Sequence, residues 1–414
     1  MRTVVRNGVV YEPLAGQHLG ERTVVIEDGT IVEVVEGKWS GEVDVDLDAR
    51  GRHVLPGFVD GHVHLSIHTM DFRRAAREWD FERALAVAAL SEATVRRGFT
   101  TVRDTGGDLR GLKQSIRRNL CGGPRIVSAG HMLSQTGGHG DLRGSVVDPP
   151  ECGCQIITSP YAHVADGPSA VRKAARQSLR DGSDFIKIHT SGGVASPSDP
   201  LDSVQYTPEE VSTIVTEAEH RHTYVTAHAY SPESMRLAAD NGVACLEHGN
   251  LVDAATASHL AGLGTTVVPT LVTYWAFRDH AEKFGFPERN QAKNDGLFEQ
   301  GRAAIGLFRD AGVELGFGTD LLGEAQPYQN QEFAIRAELE PAVDVLRSTY
   351  VTNVRLCDLV GKIGTVSPGA HGDLVVTDVD PLEDLAALAD PEAALAAVVQ
   401  GGRPIVDRLD RLDG

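Results

Sequence analysis

The sequence predicts an α/β fold: a (β/α)8 TIM-like barrel carrying a small β-sandwich domain built from both chain ends. Three observations lead there. The two ends are dense in strand and turn signals, and the middle repeats helix, glycine stop and short strand. The ionisable residues of the middle gather at the ends of those strands. The boundaries that follow are 1–55 plus 362–414 for the composite domain and 56–361 for the barrel.

At the amino end, Thr3–Val5 and Val9–Tyr11 flank Asn7-Gly8, and Thr23–Glu27 and Thr30–Val35 flank Asp28-Gly29. Both dipeptides supply the positive φ angles of a tight hairpin, so two hairpins are expected. At the carboxyl end, Gly364–Val366, Asp373–Asp378 and Ala397–Asp407 read as strands around a helical Leu385–Ala396. Between them, helices over Ala84–Arg97, Ala170–Asp181, Glu209–His220, Ser234–Asn241, Ala254–Ala261 and Gly301–Ala311 end at Gly98, Gly182, Gly242, Gly262 and Gly312 or at a polar turn. The strands expected between them are Thr100–Arg103, Phe185–His189, Tyr224–Tyr230, Ala244–His248, Thr266–Leu271 and Glu314–Gly318. Alternation of this kind is the pattern of a parallel sheet covered by helices. Asp60 to Asp320 spans about 260 residues, near the roughly 250 of a (β/α)8 barrel.

Composition narrows the function classes. The 414 residues carry 39 Lys+Arg against 58 Asp+Glu, a net charge of −19, which repels nucleic acid and anionic membrane. No stretch approaches the roughly 20 apolar residues of a membrane span, and the amino end lacks a signal-peptide core. Five cysteines, an odd number in a long chain, point to free thiols in a reducing compartment, hence the cytoplasm. Cys152-Gly153-Cys154 lacks a second thiol pair and reads as inert. A small-molecule substrate and a homo-oligomer are expected.

The chemistry starts at His62-Val63-His64. Positions i and i+2 of a strand share a face, so both imidazoles can reach one ion. The pair ends an apolar strand, whereas the second such pair, His220-Arg221-His222, sits at a helix end and reads as solvated surface. Thr226-Ala227-His228 and Leu246-Glu247-His248 each close a strand on a histidine, and Gly318-Thr319-Asp320 closes another on a carboxylate. Four imidazoles and a carboxylate on four strand ends form a borderline N/O donor set suited to Zn²⁺, Mn²⁺ or Fe²⁺. Lys187, between Ile186 and Ile188, faces a large desolvation cost as an ammonium. Alone it reads as a lysine that reaches the rim or pairs with an acid. Beside that donor set, it reads as an amine that CO₂ converts to a carbamate able to serve two cations.

The chain resembles the amidohydrolase superfamily, and within it the binuclear prolidase-like branch of Xaa-Pro dipeptidases and carboxypeptidases. The resemblance rests on Pro56-Gly57-Phe58-Val59-Asp60-Gly61-His62-Val63-His64, the Lys187 strand running into Ser191-Gly192-Gly193, His228, Glu247-His248-Gly249, and Gly318-Thr319-Asp320. Gly364-Thr365-Val366-Ser367-Pro368-Gly369 also matches. His371-Gly372 departs from the family's usual Gly-Lys-x-Ala-Asp, within the end domain. The resemblance implies two divalent ions, zinc by preference. His62, His64 and Asp320 would hold the more buried ion, His228 and His248 the other, and N6-carboxylated Lys187 would bridge them. It further implies that Asp320 moves the proton from a bridging hydroxide to the leaving amine.

Within His131–Gly167, a segment without clear periodicity, Ser134-Gln135-Thr136-Gly137-Gly138-His139-Gly140-Asp141 resembles a substrate-facing loop of that branch. His139 is the candidate donor to the developing oxyanion. Tyr230, two residues past His228, is the candidate contact for the substrate's carbonyl or carboxylate, and Arg143, Tyr161 and His163 are candidate specificity residues. The reading is a metal-dependent hydrolase of a dipeptide such as Xaa-Pro, or of an N-acyl amino acid. The alternatives are a hydrolase of another amide, carbamate or cyclic amide, imidazolonepropionase-like or xenobiotic-degrading, and a metal-free scaffold. An imidazolonepropionase uses one metal and lacks the lysine, and the scaffold reading leaves the full donor set unexplained.

Overall fold

A computed structural model describes residues 1–75, 77–142, 161–196, 199–284 and 288–410. The amino end supplies β1 (Arg2–Glu12), β2 (Gln17–Glu27), β3 (Thr30–Val35), β4 (Val45–Asp48) and β5 (His53–Pro56). The middle supplies β6 (Phe58–Val63), β7 (Phe99–Asp104), β8 (Arg125–Ser128), β9 (Met132–Ser134), β10 (Ala162–Val164), β11 (Ile186–His189), β12 (Val225–Ala229), β13 (Cys245–His248) and β14 (Thr266–Val268). The carboxyl end supplies β15 (Leu374–Thr377), β16 (Leu395–Gln400) and β17 (Arg403–Asp407).

Strands from both ends join one sheet in the order β17-β16-β15-β5-β1-β2-β3, with β4 on β1. The join between the ends is antiparallel, Leu374 opposite Pro56 and Thr377 opposite His53. Val5, Val24, Val54, Leu374, Val376 and Ala397 pack beneath it.

The middle strands form two parallel sheets, β6-β7-β8 and β10-β9-β11-β12-β13-β14. Nearly every residue of these strands is buried, because helices cover one side and side chains fill the other. Backbone bonds link the sheets on both flanks. Leu315 bridges Val267 in parallel, while Gly61 N–H donates to Phe317 O at 2.7 Å. On the other flank Asp184 N–H donates to Ser128 O at 2.8 Å. The arrangement is TIM-barrel-like.

Helix ends follow local chemistry. Thr207 and Glu210 close a reciprocal capping box over Pro208–Glu219, and the side chains of Ser231 and Asp253 cap the two helices that follow. Each of these helices therefore starts at a fixed residue.

Several expectations need correction. Asn7-Gly8 makes no hairpin. β1 runs through it, and the positive φ of Asn7 (54°) is absorbed as a bulge against β2. Asp28-Gly29 does make one, with Glu27 opposite Thr30. Helix Ala254–Leu263 runs past Gly262 and ends at left-handed Gly264. The strand expected over Thr266–Leu271 stops at Val268, and Leu271 opens a helix instead. Leu385–Ala396 breaks at Pro391 into a 3₁₀ turn, a short helix and the start of β16. Gly364–Val366 lies in turns rather than a strand, and 314–318 is held by a single bridge and backbone bonds. The segment expected to lack structure contains β9 and β10.

Asn353 pins the seam where β6 meets 314–318. Its Nδ2 donates to Val59 O at 2.8 Å and to Phe317 O at 2.7 Å, and its Oδ1 accepts from Phe317 N–H at 3.2 Å. Asn353→Ala strips three buried bonds. It is expected to cost about 2–4 kcal/mol, read as a lowered thermal midpoint by calorimetry.

Candidate active site

His62 lies on β6 and His64 just past its end, both buried. Asp320 follows 314–318, and its N–H donates to His62 O at 2.8 Å. That bond brings Asp320 Oδ1 to 3.3 Å from both His62 Nε2 and His64 Nε2. Asp60, beneath them, accepts from His62 N–H at 3.0 Å and from Thr319 Oγ1 at 2.7 Å. One buried carboxylate thus holds the backbone of His62 and the side chain of Thr319, the residue before Asp320.

His228 on β12 and His248 at the end of β13 complete an arc of rings. The centroids stand 4.9 Å apart from His62 to His248 and 4.6 Å from His248 to His228. Successive strand residues point to opposite faces. Glu247 and His248 nevertheless both reach this cluster, because His248 adopts φ 74°. Asp320, at φ 49°, makes a similar turn. Left-handed backbone at two non-glycine residues in one cluster marks a site where geometry is held against local preference.

Each imidazole has one nitrogen tied to the protein. His62 Nδ1 meets Glu247 Oε2 at 2.8 Å, His64 Nδ1 meets Gly106 O at 3.1 Å, His248 Nδ1 meets Thr270 Oγ1 at 2.8 Å, and His228 Nε2 donates to Gly192 O at 2.9 Å. Anchoring one nitrogen fixes the ring and leaves the other for an ion, although His64 Nε2 also lies 3.3 Å from Thr105 Oγ1. His62 Nε2 is buried, and Asp320 Oδ1 lies 3.3 Å from it in a geometry short of a hydrogen bond. Burial pushes His228 and His248 well below the usual imidazole range, so they are neutral and carry lone pairs. Ligand atoms of His62, His248 and Asp320 lie within 4.8 Å of one another. The donor set fits divalent cations.

Lys187 on β11 is 1% exposed. Burial drives it down to about 8, against the pull of Glu247 and Asp320. Its strand pairs with β12, which carries His228, and its charge acts on His62, His228, His248 and Glu247.

The sequence reading missed the layer behind this arc. Glu247 is fully buried between His62 and Arg103, whose Nη1 lies 2.9 Å from Glu247 Oε1 and also donates to Gly61 O at 2.7 Å. Arg103 Nε donates to Tyr224 Oη at 2.8 Å, and the guanidinium stacks 4.5 Å over Phe185. Burial opposes ionisation of Glu247, but Arg103, His62 and Lys187 outweigh it and hold the carboxyl well below its usual range. The signal was present: Arg103 and Glu247 are charged residues inside apolar strands, as Lys187 is.

The structure brings His139 to the arc, its ring stacked 4.3 Å from His228, with Nδ1 3.6 Å from Asp199. A β-carbon on Gly193 would fall 2.2 Å from that ring, so the ring needs a glycine there. Tyr230 stacks 5.4 Å from His248, and its hydroxyl bonds Tyr274 Oη at 2.7 Å. Tyr161 packs with Ile67 and Met132, and His163 stacks on His131 at 4.4 Å. Neither shares a ring contact with the arc among the described residues. Arg143, Cys152 and Cys154 lie outside the described residues, while Cys121, Cys245 and Cys357 are free thiols. His220 and His222 are exposed.

The amidohydrolase family matches residues 53–403. The chain belongs to the amidohydrolase family. It is 40% identical to a solved prolidase complexed with N-methylphosphonate-L-proline, with a TM-score of 0.93, covering 99% of this chain and 100% of that one. A Xaa-Pro dipeptidase with methionine in its active site is 28% identical at a TM-score of 0.87, with 98% and 99% covered. Ochratoxinase of Aspergillus niger is 26% identical over 97% of this chain and 86% of the relative. This amidohydrolase falls in the prolidase-like branch and is a hydrolase of amide or peptide bonds. No helix of the described residues is long and apolar enough to cross a membrane.

Arg103→Met would leave Glu247 charged and buried without its cation. A loss of about 3–5 kcal/mol is expected in denaturant unfolding. Arg176→Met, which removes an exposed arginine from Glu217 and leaves Arg172 3.5 Å from it, is expected to cost under about 1 kcal/mol.

Proposed function

We propose that this amidohydrolase is a binuclear metal-dependent enzyme that cleaves a dipeptide such as Xaa-Pro, or an N-acyl amino acid. The observation that carries the reading is the set of four buried imidazoles, each with a nitrogen anchored to the protein, gathered beside Asp320, with Lys187 buried on the strand next to that of His228. His62, His64 and Asp320 would hold one divalent ion and His228 and His248 a second, with zinc the favoured metal. When bound, such ions polarise the scissile carbonyl and lower the pKa of the attacking water. The same reading takes the two parallel sheets as arcs of one closed barrel over 56–361. It takes the end sheet as a sandwich of 1–55 with 362–414. Free thiols at Cys121, Cys245 and Cys357 support a reducing, cytoplasmic setting.

Lys187 and Asp320 divide the remaining work. A lysine held down to about 8 keeps part of its amine neutral near neutral pH. The neutral nitrogen adds to the carbon of CO₂ and releases a proton, leaving a carbamate anion within the arc. Burial opposes ionisation of Asp320, but His62, His64 and His248 hold it well below the usual carboxyl range. Its carboxylate oxygen accepts the proton of the attacking water and returns it to the leaving nitrogen as the C–N bond breaks. His139 donates to the carbonyl oxygen from its place on His228. Tyr230, oriented by Tyr274, meets the substrate's carbonyl or carboxylate.

The prolidase relative with its proline phosphonate supports a proline leaving group. The ochratoxinase relative supports a second reading, hydrolysis of another amide. Lys187→Ala is expected to abolish turnover on Xaa-Pro dipeptides, with partial return on adding short carboxylic acids; ordinary turnover would sink the bridging role. Asp320→Asn is expected to keep much of the bound metal and lose roughly 10²–10⁴-fold in kcat. A screen of Xaa-Pro, Xaa-Arg/Lys and N-acyl amino acids decides between the two substrate readings.

A further inference from the structure

A second cluster of metal-ligand side chains lies in the end domain, away from the strand ends that carry the arc. His18 is the second residue of β2, His53 opens β5, and Asp380 lies in the turn after β15. His18 Nε2 is 3.0 Å from both carboxylate oxygens of Asp380, and His53 Nδ1 is 4.0 Å from Oδ2. The two imidazole centroids stand 4.8 Å apart, and the three donor atoms lie within 4.8 Å of one another.

An ion pair between His18 and Asp380 accounts for two of these residues and leaves the third unexplained. His53 Nδ1 is buried, has no hydrogen-bond partner and faces the carboxylate across a gap too long for a bond. Donors about 2.0–2.2 Å from one tetrahedral ion stand roughly 3.3–3.6 Å apart, and the observed separations straddle that range. Burial also keeps the His53 imidazole below its usual range, so it offers a lone pair. Asp380 is further fixed by the Leu382 N–H, which donates to Oδ1 at 2.9 Å. The side chains of His18, His53 and Asp380 are 20%, 21% and 19% exposed, enough for an ion to enter and for a water to take a fourth position.

We propose that His18, His53 and Asp380 form a structural site for a zinc-class divalent ion that fastens the amino-terminal strands to the carboxyl-terminal part of the end domain. Two imidazoles and one carboxylate favour Zn²⁺, Co²⁺ or Ni²⁺ over Mg²⁺ or Ca²⁺. The site is independent of the one in the barrel, and the two are separable by experiment. The full-length chain is stripped with chelator and titrated with Co²⁺, followed by its visible absorption, and then with Zn²⁺, followed by metal analysis and thermal unfolding. His18→Ala and Asp380→Asn are each expected to bind one equivalent fewer than the unaltered chain and to lose part of the Zn²⁺-dependent rise in thermal midpoint. His53→Gln, which leaves the His18–Asp380 pair intact, is expected to do the same and serves if His18→Ala folds poorly. Adding His62→Ala removes a further equivalent if the barrel reading holds, and leaves this difference unchanged if it fails. Equal stoichiometry in His53→Gln, Asp380→Asn and the unaltered chain would overturn the proposal and leave an ion pair only.

Discussion

The centre of this protein depends on the contact between Glu247 and Arg103. Both are fully buried, and a charge in that position is tolerated only when a partner and hydrogen bonds replace the lost water. Arg103 receives that support from Gly61 O, Tyr224 and the face of Phe185, and Glu247 from Arg103, Thr226 and His62. The pair ties β7 to β13 across the interior. It also presents a carboxylate oxygen to His62 Nδ1, which sets the direction of the opposite nitrogen. Stability and site geometry therefore rest on the same atoms.

Around that pair, charge is arranged in layers. Arg103 and Glu247 sit deepest, His62 lies against Glu247, Lys187 is as fully buried, and Asp320 is the most accessible at 20% of its side chain. Both signs are present where water is excluded, so neither accumulates there. Lys187 stands at the junction, drawn toward protonation by two carboxylates and away from it by burial and by Arg103.

Much of the architecture was legible because strand ends in a parallel α/β fold are few and their polar residues conspicuous. His62, His64, Lys187, His228, His248 and Asp320 all stood out as ionisable groups in apolar runs; the four imidazoles and Asp320 come together, and Lys187 is buried on β11 beside the strand that carries His228. Glu247 and Arg103 carried the same signal but lay one layer behind residues that already made up the expected donor set. The turn reading failed at Asn7-Gly8 because positive φ serves a bulge as well as a hairpin, and only pairing with β2 distinguishes them. It failed at Leu271 because an apolar run of that length suits a strand or a buried helix equally well. His18 and His53 were invisible as a pair, since pairing of the two chain ends is what brings them to Asp380.

That pairing has a consequence for biosynthesis. β5 is covered on one edge by β15, a strand made some 320 residues later, so at roughly 5–20 residues per second it waits about 15–60 seconds for its neighbour. During that interval His53–Pro56 presents an open, apolar edge on the ribosome. A chain cut short before Leu374 would keep that edge uncovered for good. Quality control thus has a simple mark by which to tell an unfinished copy from a finished one.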